Sequence, residues 1–290
     1  MLIQFVTRMR RLFFVSFLLA LLSPAICLAS ASATATTPIQ QGFASMYNLD
    51  FAAAHQDFDA WQKLHPEDPM GAACHAAAHL FTEFARLGVL ESQLFTDENR
   101  FDNRQKLSPD PQVKNMINAE LDQSAGLAAK ALAKDPNDAT AQFAKLLSLG
   151  LRSDYAALVE KRNLAALRYT KQGTALAEQL LKQNPNAYDA YLAVGVENYL
   201  SGIKPAPMRW LMAAGGVETD KTRGIHDLEL TAAHGDLLAP FARLLLAVAA
   251  LRDKEPAKAC SLLSGLSSDY PKNPLYPREI NQNHCRTEHL

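Results

Sequence analysis

Lys134-Asp135-Pro136-Asn137-Asp138 ends one helix-forming stretch and opens another. The same arrangement stands at Leu64-His65-Pro66-Glu67-Asp68, Gln183-Asn184-Pro185-Asn186-Ala187 and Asp269-Tyr270-Pro271-Lys272-Asn273. Proline inside a helix loses a backbone donor and clashes with the preceding turn, so each proline marks a helix end. Twelve residues before each proline sits a small side chain, Ala54, Ser124, Gly173 and Ala259 in turn. A small residue at one fixed helical position lets a neighbouring helix approach closely. The unit that recurs is therefore a helix, a turn and the start of the next helix, and a recurring unit decides the fold before any single motif does.

Outward from these junctions the chain reads as helical throughout. Alanine and leucine dominate its apolar residues, and alternating β-branched runs are nearly absent after residue 35. The pattern predicts helices at 38–47, 50–64, 69–88, 111–134, 138–152, 156–183, 187–200, 206–213 with 219–233, 237–252 and 255–268. Asp50, Asp110 and Asp220 stand at N-cap positions, and Gly202 and Gly235 join the prolines at the ends.

The first residues follow a different logic. Arg8, Arg10 and Arg11 precede an apolar run from Leu12 to Leu22, then Ala29-Ser30-Ala31. Basic, apolar and small-residue regions in that order predict a cleavable signal peptide over 1–31, and the run is shorter than the ~20 residues that cross a bilayer. The expected product is periplasmic or secreted, with no stable transmembrane segment. It carries 26 basic against 30 acidic residues, a net charge of −4 that gives no footprint for nucleic acid. Cys74, Cys260 and Cys285 remain in an oxidising compartment. Two states are open for them: a Cys260–Cys285 disulfide tying the tail to the last helix, or three buried thiols.

The junctions resemble those of the tetratricopeptide repeat family, whose unit is a helix-turn-helix of about 34 residues ending in proline. Tyr191-Leu192-Ala193-Val194-Gly195 matches the family's aromatic and aliphatic-glycine helix entry after Pro185, and Gly42 and Ala76 supply the small residue in two other copies. The stretch Tyr47 to Phe58 is similar to the turn and second helix of such a repeat. The prolines are separated by 70, 49 and 86 residues, and the family's alanine five residues before the proline is present only as Ala131, with Trp61, Leu180 and Leu266 elsewhere. In this irregular form the chain looks most like the exported bacterial members of the family. The resemblance implies an all-α, right-handed α-solenoid of about five antiparallel helix pairs with irregular insertions over 32–270, followed by a polar C-terminal tail at 271–290.

Solenoids of this kind present a concave face, and family members bind protein segments or peptides there. By register that face shows Met70, Ala73, Ala77, Leu80 and Phe81 after Pro66, and Asp189, Leu192, Val196, Tyr199 and Leu200 after Pro185. Two occupants compete for so apolar a groove: an apolar peptide or lipid-like ligand, or the chain's own insertions or tail. The chain's own residues are favoured, because large apolar patches are uncommon on soluble monomers.

Chemistry has few candidates. His75 and His79 lie four apart on one helical face, with Glu83 a turn further on, which is metal-ligand spacing. The register instead places both histidines against the second helix of a pair, so they are expected to be packed and hydrogen-bonded. His284-Cys285 and His289 lie in the polar terminus, and Lys161, Arg162, Arg168 and Lys171 read as a solvated helix face. The insertion from Glu91 to Asp110 holds Asp97, Glu98 and Asp102. There is no glycine-rich phosphate loop, nucleophile elbow or His-Glu-x-x-His motif. The expectation is a non-enzymatic scaffold without cofactor, binding a protein or peptide of the cell envelope. The rival is a ligand- or metal-binding envelope protein using His75, His79 and the 91–110 insertion.

Overall fold

The computed structural model describes residues 36–90, 107–204 and 220–285. The expected signal peptide, the helix at 206–213 and Asp97, Glu98, Asp102 and His289 lie outside them. Among the described residues eleven α-helices follow one another: α1 Pro38–Tyr47, α2 Phe51–Leu64, α3 Pro69–Arg86, α4 Pro111–Lys134, α5 Ala139–Asp154, α6 Asn163–Gln183, α7 Tyr191–Gly202, α8 Lys221–His234, α9 Ala239–Arg252, α10 Pro256–Asp269 and α11 Leu275–Gln282. No described helix is long and apolar enough to cross a membrane.

Local chemistry sets the helix starts. Asp50, Asp68, Asp110, Asp138 and Asp220 each accept a backbone N–H of the first turn, and proline occupies the first turn of α1, α3, α4, α9 and α10, where its missing donor is harmless. Thr37 and Gln40 form a reciprocal capping box on α1. Each helix packs on its successor along the chain. α3 also touches α1 and α5, so first helices of successive pairs stack as well. Among the described residues the helices form an array of consecutive pairs, five in number, with α11 laid on the last.

All four proline junctions are closed the same way. The residue before the proline donates its N–H back to the last turn of the helix: His65 to Trp61, Asp135 to Ala131, Asn184 to Leu180 and Tyr270 to Leu266. Its carbonyl then accepts from the residue two beyond the proline, Asp68, Asp138, Ala187 and Asn273, which is a β-turn with proline at its second position. Ala54, Ser124, Gly173 and Ala259 are all buried at the crossings that follow.

A fifth junction has the same frame without the proline. Gly235 donates to Thr231 as the other four do, and twelve residues before Asp236 stands Gly224, buried against α7. A Cβ on Gly224 would lie 2.4 Å from the Tyr199 nitrogen, and one on Gly195 would lie 3.0 Å from the Leu228 nitrogen, so α7 and α8 cross with their backbones nearly in contact. The β-turn is replaced here by a side chain. Asp189 accepts the backbone N–H groups of Asp236, Leu237 and Leu238 at 3.2, 3.0 and 2.9 Å. Proline at 236 would remove the first of those donors. The 86-residue interval between Pro185 and Pro271 thus contains two repeats.

Two expectations are corrected. The helix expected over 156–183 is interrupted, because α5 widens into a π turn at Tyr155–Val159 and Lys161 adopts φ +55° before α6 begins. Tyr155, Ala156 and Val159 are all buried by this turn. The tail expected from 271 is not free. It carries α11, with Tyr276 and Glu279 buried, and Cys285 is bonded to Cys260 with Cα atoms 5.5 Å apart. Cys74 is a buried free thiol.

The array also closes on its beginning. Tyr47 donates its hydroxyl to the Leu237 carbonyl at 2.9 Å, and Gln40 donates to Asp236. Asn273 donates to the Tyr47 carbonyl at 2.8 Å, while Asn48 accepts from the Lys272 N–H. Leu237 and Leu238 share one buried core with Ile39 and Phe43 of α1.

Two substitutions separate close approach from helix propensity. Gly224→Ala is expected to lower unfolding free energy in urea by at least about 2 kcal/mol, since the added methyl meets backbone. Gly126→Ala in α4 has nothing within 4 Å of the new carbon and should raise it by about 0.5–1 kcal/mol. Cys260→Ser should cost about 3 kcal/mol by reopening the 25-residue separation that the disulfide bridges.

Candidate functional site

The inner face expected to take a partner is largely covered. Met70, Ala77 and Leu80 are buried in the core that α1, α2 and α5 share with α3, and Ala73 is buried as well. Phe81 is half-buried and meets Phe241 of α9 edge-on, ring centroids 6.0 Å apart. The covering group on Phe81 is thus a helix of the fifth pair. On α7, Tyr199 is buried against Gly224, Leu192 packs against the main core, and Val196 is half-buried. Leu200 stands 49% exposed. Asp189 belongs to the fifth junction. Its carboxyl is raised by burial, opposed by the three N–H groups it accepts.

Glu83 does not join the histidines. Its carboxylate is 1% exposed, accepts Arg86 Nε and Nη2 at 2.7 Å each, and accepts the Asp110 N–H at 2.8 Å. Arg86 holds its carboxyl below the usual range. Arg86 also donates to the Ser108 carbonyl. The pair fastens the start of α4 to the end of α3, a structural task that removes Glu83 from any metal set.

His75 and His79 instead meet His55 of α2. Rings 55 and 75 stack with centroids 5.0 Å apart, rings 55 and 79 lie at 4.3 Å, and Phe58 stands edge-on to His75. The Nδ1 atoms of His55 and His75 are 2.7 Å apart, and His75 Nε2 is 3.2 Å from Asp59 Oδ1. Two nitrogens on one zinc ion, each about 2.0–2.1 Å from it, stand farther apart than that at any ordinary coordination angle. The contact is a hydrogen bond, and among the described residues no three metal-ligating side chains have an ion-holding arrangement. His55 and Asp59 escaped the sequence reading because each is one residue in an ordinary amphipathic helix. The signal was the register: His55 follows Ala54, the small residue at the helix crossing.

One cleft of about 220 Å³ opens at the turn edge of the array. It is lined by Ala139, Phe143 and Leu180 together with Tyr188, Asp189, His234 and Asp236. The rings of Tyr188 and His234 lie 4.8 Å apart. The lining sets apolar side chains beside Asp236 and the already engaged Asp189, fit for a small contact.

No family model matches the chain, and no curated protein matches it. Among solved structures, a thermophilic tetratricopeptide repeat protein of Thermus thermophilus is similar over 86% of this chain and 98% of its own, with 14% identity and a TM-score of 0.45.

Asp189→Ala should destabilise the protein by about 2–3 kcal/mol, because three loop donors lose a charged acceptor at once. Asp189→Asn, which keeps one acceptor oxygen, should cost less. Urea denaturation of the three proteins side by side gives the ranking.

Proposed function

We propose that this protein is an exported scaffold of the cell envelope that holds a protein or peptide partner on its helix array and performs no catalysis. The observation that carries the proposal is the junction repeated five times, because it builds a stack of helix pairs whose product is surface. The disulfide supports an oxidising compartment, as the basic and apolar segment at 1–31 supports export.

On this reading the covered inner face leaves specific contact points. Leu200 and the half-buried Leu192 and Val196 of α7 offer an apolar edge. The cleft beside Tyr188 sets the Asp236 carboxylate next to apolar side chains, which suits a partner segment carrying a basic side chain on an apolar stem.

Proximity crosslinking in the native envelope tests the proposal. Recurrent capture of one envelope protein, reduced in Leu200→Asp, is the expected result. Capture at background level in the wild type would overturn it.

A further inference from the structure

The hydrogen-bond directions at the α2–α3 crossing are determined by Asp59. Its carboxylate accepts from His75 Nε2 at 3.2 Å, which makes Nε2 the protonated nitrogen of a neutral His75 and leaves Nδ1 an acceptor. The 2.7 Å contact between the two Nδ1 atoms is then a bond donated by His55. That contact holds one proton. A second proton, taken from solvent by His75 Nδ1, sets two donors and a new positive charge against each other at hydrogen-bond distance, and His79 packs on the same His55 ring.

The surroundings give the extra charge little relief. The charges that act on the three imidazoles are one another and Asp59, and Asp59 itself is 74% exposed. From α4 the carboxyl of Glu120 comes within reach of Asp59; it is raised by burial and then by that charge, and its Oε2 is buried without a hydrogen-bond partner. α1 carries no charged residue, and no charged group of α5 acts on the imidazoles. Burial comes first in lowering His55, to about 4, with His79 and His75 adding to it, and burial likewise leads in lowering His75 and His79.

The crossing joins the α1–α2 hairpin to the rest of the array. α1 in turn makes the contacts to Asp236, Leu237 and Asn273 that bring the array back on its beginning. We infer that the His55–His75–Asp59 chain is an acid-released latch: protonation parts α2 from α3 and loosens the α1–α2 hairpin, uncovering the inner face of α3. This goes beyond the scaffold reading and stands or falls without any partner.

Because the folded histidines titrate below the ordinary value near 6.5, their contribution is complete above that pH. It is withdrawn as pH falls through 6.5 toward 4. His55, lowered to about 4, by itself favours opening about 30-fold at pH 5, partial solvent exposure reduces this to about tenfold, and His75 acts in the same direction.

Hydrogen exchange of the full chain at pH 7.5 and 5.0, corrected for intrinsic exchange rates, reads the opening directly. The expected result is that protection of α1 and α2 falls about tenfold more than protection of α9 and α10. His55→Phe keeps a stacked ring and removes both its own titration and the donor that opposes a protonated His75, so the acid response should shrink to the part left by His75 and His79 while protection at pH 7.5 is retained. Imidazole nitrogen NMR of the wild type needs no variant, and should show His55 as the Nδ1–H and His75 as the Nε2–H tautomer at pH 7.5. Equal loss across all helices, an undiminished acid response in a folded His55→Phe, or His55 protonated on Nε2 would each overturn the latch.

Discussion

Helices in this chain pack at distances set by what is missing twelve residues before each turn. A side chain larger than serine at that position would drive the next helix outward. At the α7–α8 crossing the margin is smallest, because the Gly224 Cα faces the Tyr199 backbone itself. Protein interiors are packed densely enough that such a displacement reaches neighbouring elements. The buried core below α3 depends on that spacing, since it is assembled from helices of the first three pairs and the loop at Leu237 and Leu238.

The same rule explains how much of the fold was visible in the sequence. Proline at four junctions, a small residue at a constant distance and aspartate at the helix starts are local features, each with a backbone cause. They located nine of the described helices to within a few residues. The fifth junction showed in the sequence as Gly235 between two predicted helices, but what closes it did not, because a tertiary contact replaces the local one: Asp189 closes the Asp236 turn from 47 residues away, and it needs the very N–H that proline lacks. The interruption at Lys161 was hidden for a different reason. Its positive φ falls on lysine, and the π turn before it follows from the burial of Tyr155 and Val159, which are ordinary helix-core residues in the sequence.

The candidate site was legible only in part. Spacing alone placed His75, His79 and Glu83 on one line, but spacing says nothing about which partner each finds across the interface. Glu83 meets Arg86 and the first turn of α4, while His75 meets an imidazole and a carboxylate from α2. Likewise the register selected residues of an inner face, and the array's return onto α1 and the approach of α9 decided how much of that face water reaches. Long-range closure is a property of the summed rotation between pairs, which no single repeat contains.

That closure has a kinetic side. Nearly every packing contact in the array joins sequence neighbours, whereas the hydrogen bond from Asn273 to Tyr47 spans 226 residues. Helix hairpins with local contacts form quickly, and contacts of such separation carry the full entropy of joining distant chain ends. The N-terminal pairs therefore acquire their helices early but wait for Leu237 and Leu238 before their apolar surface is sealed. For a chain that emerges N-terminus first, the interval between those events is the period in which it is most exposed to association with other unfinished chains.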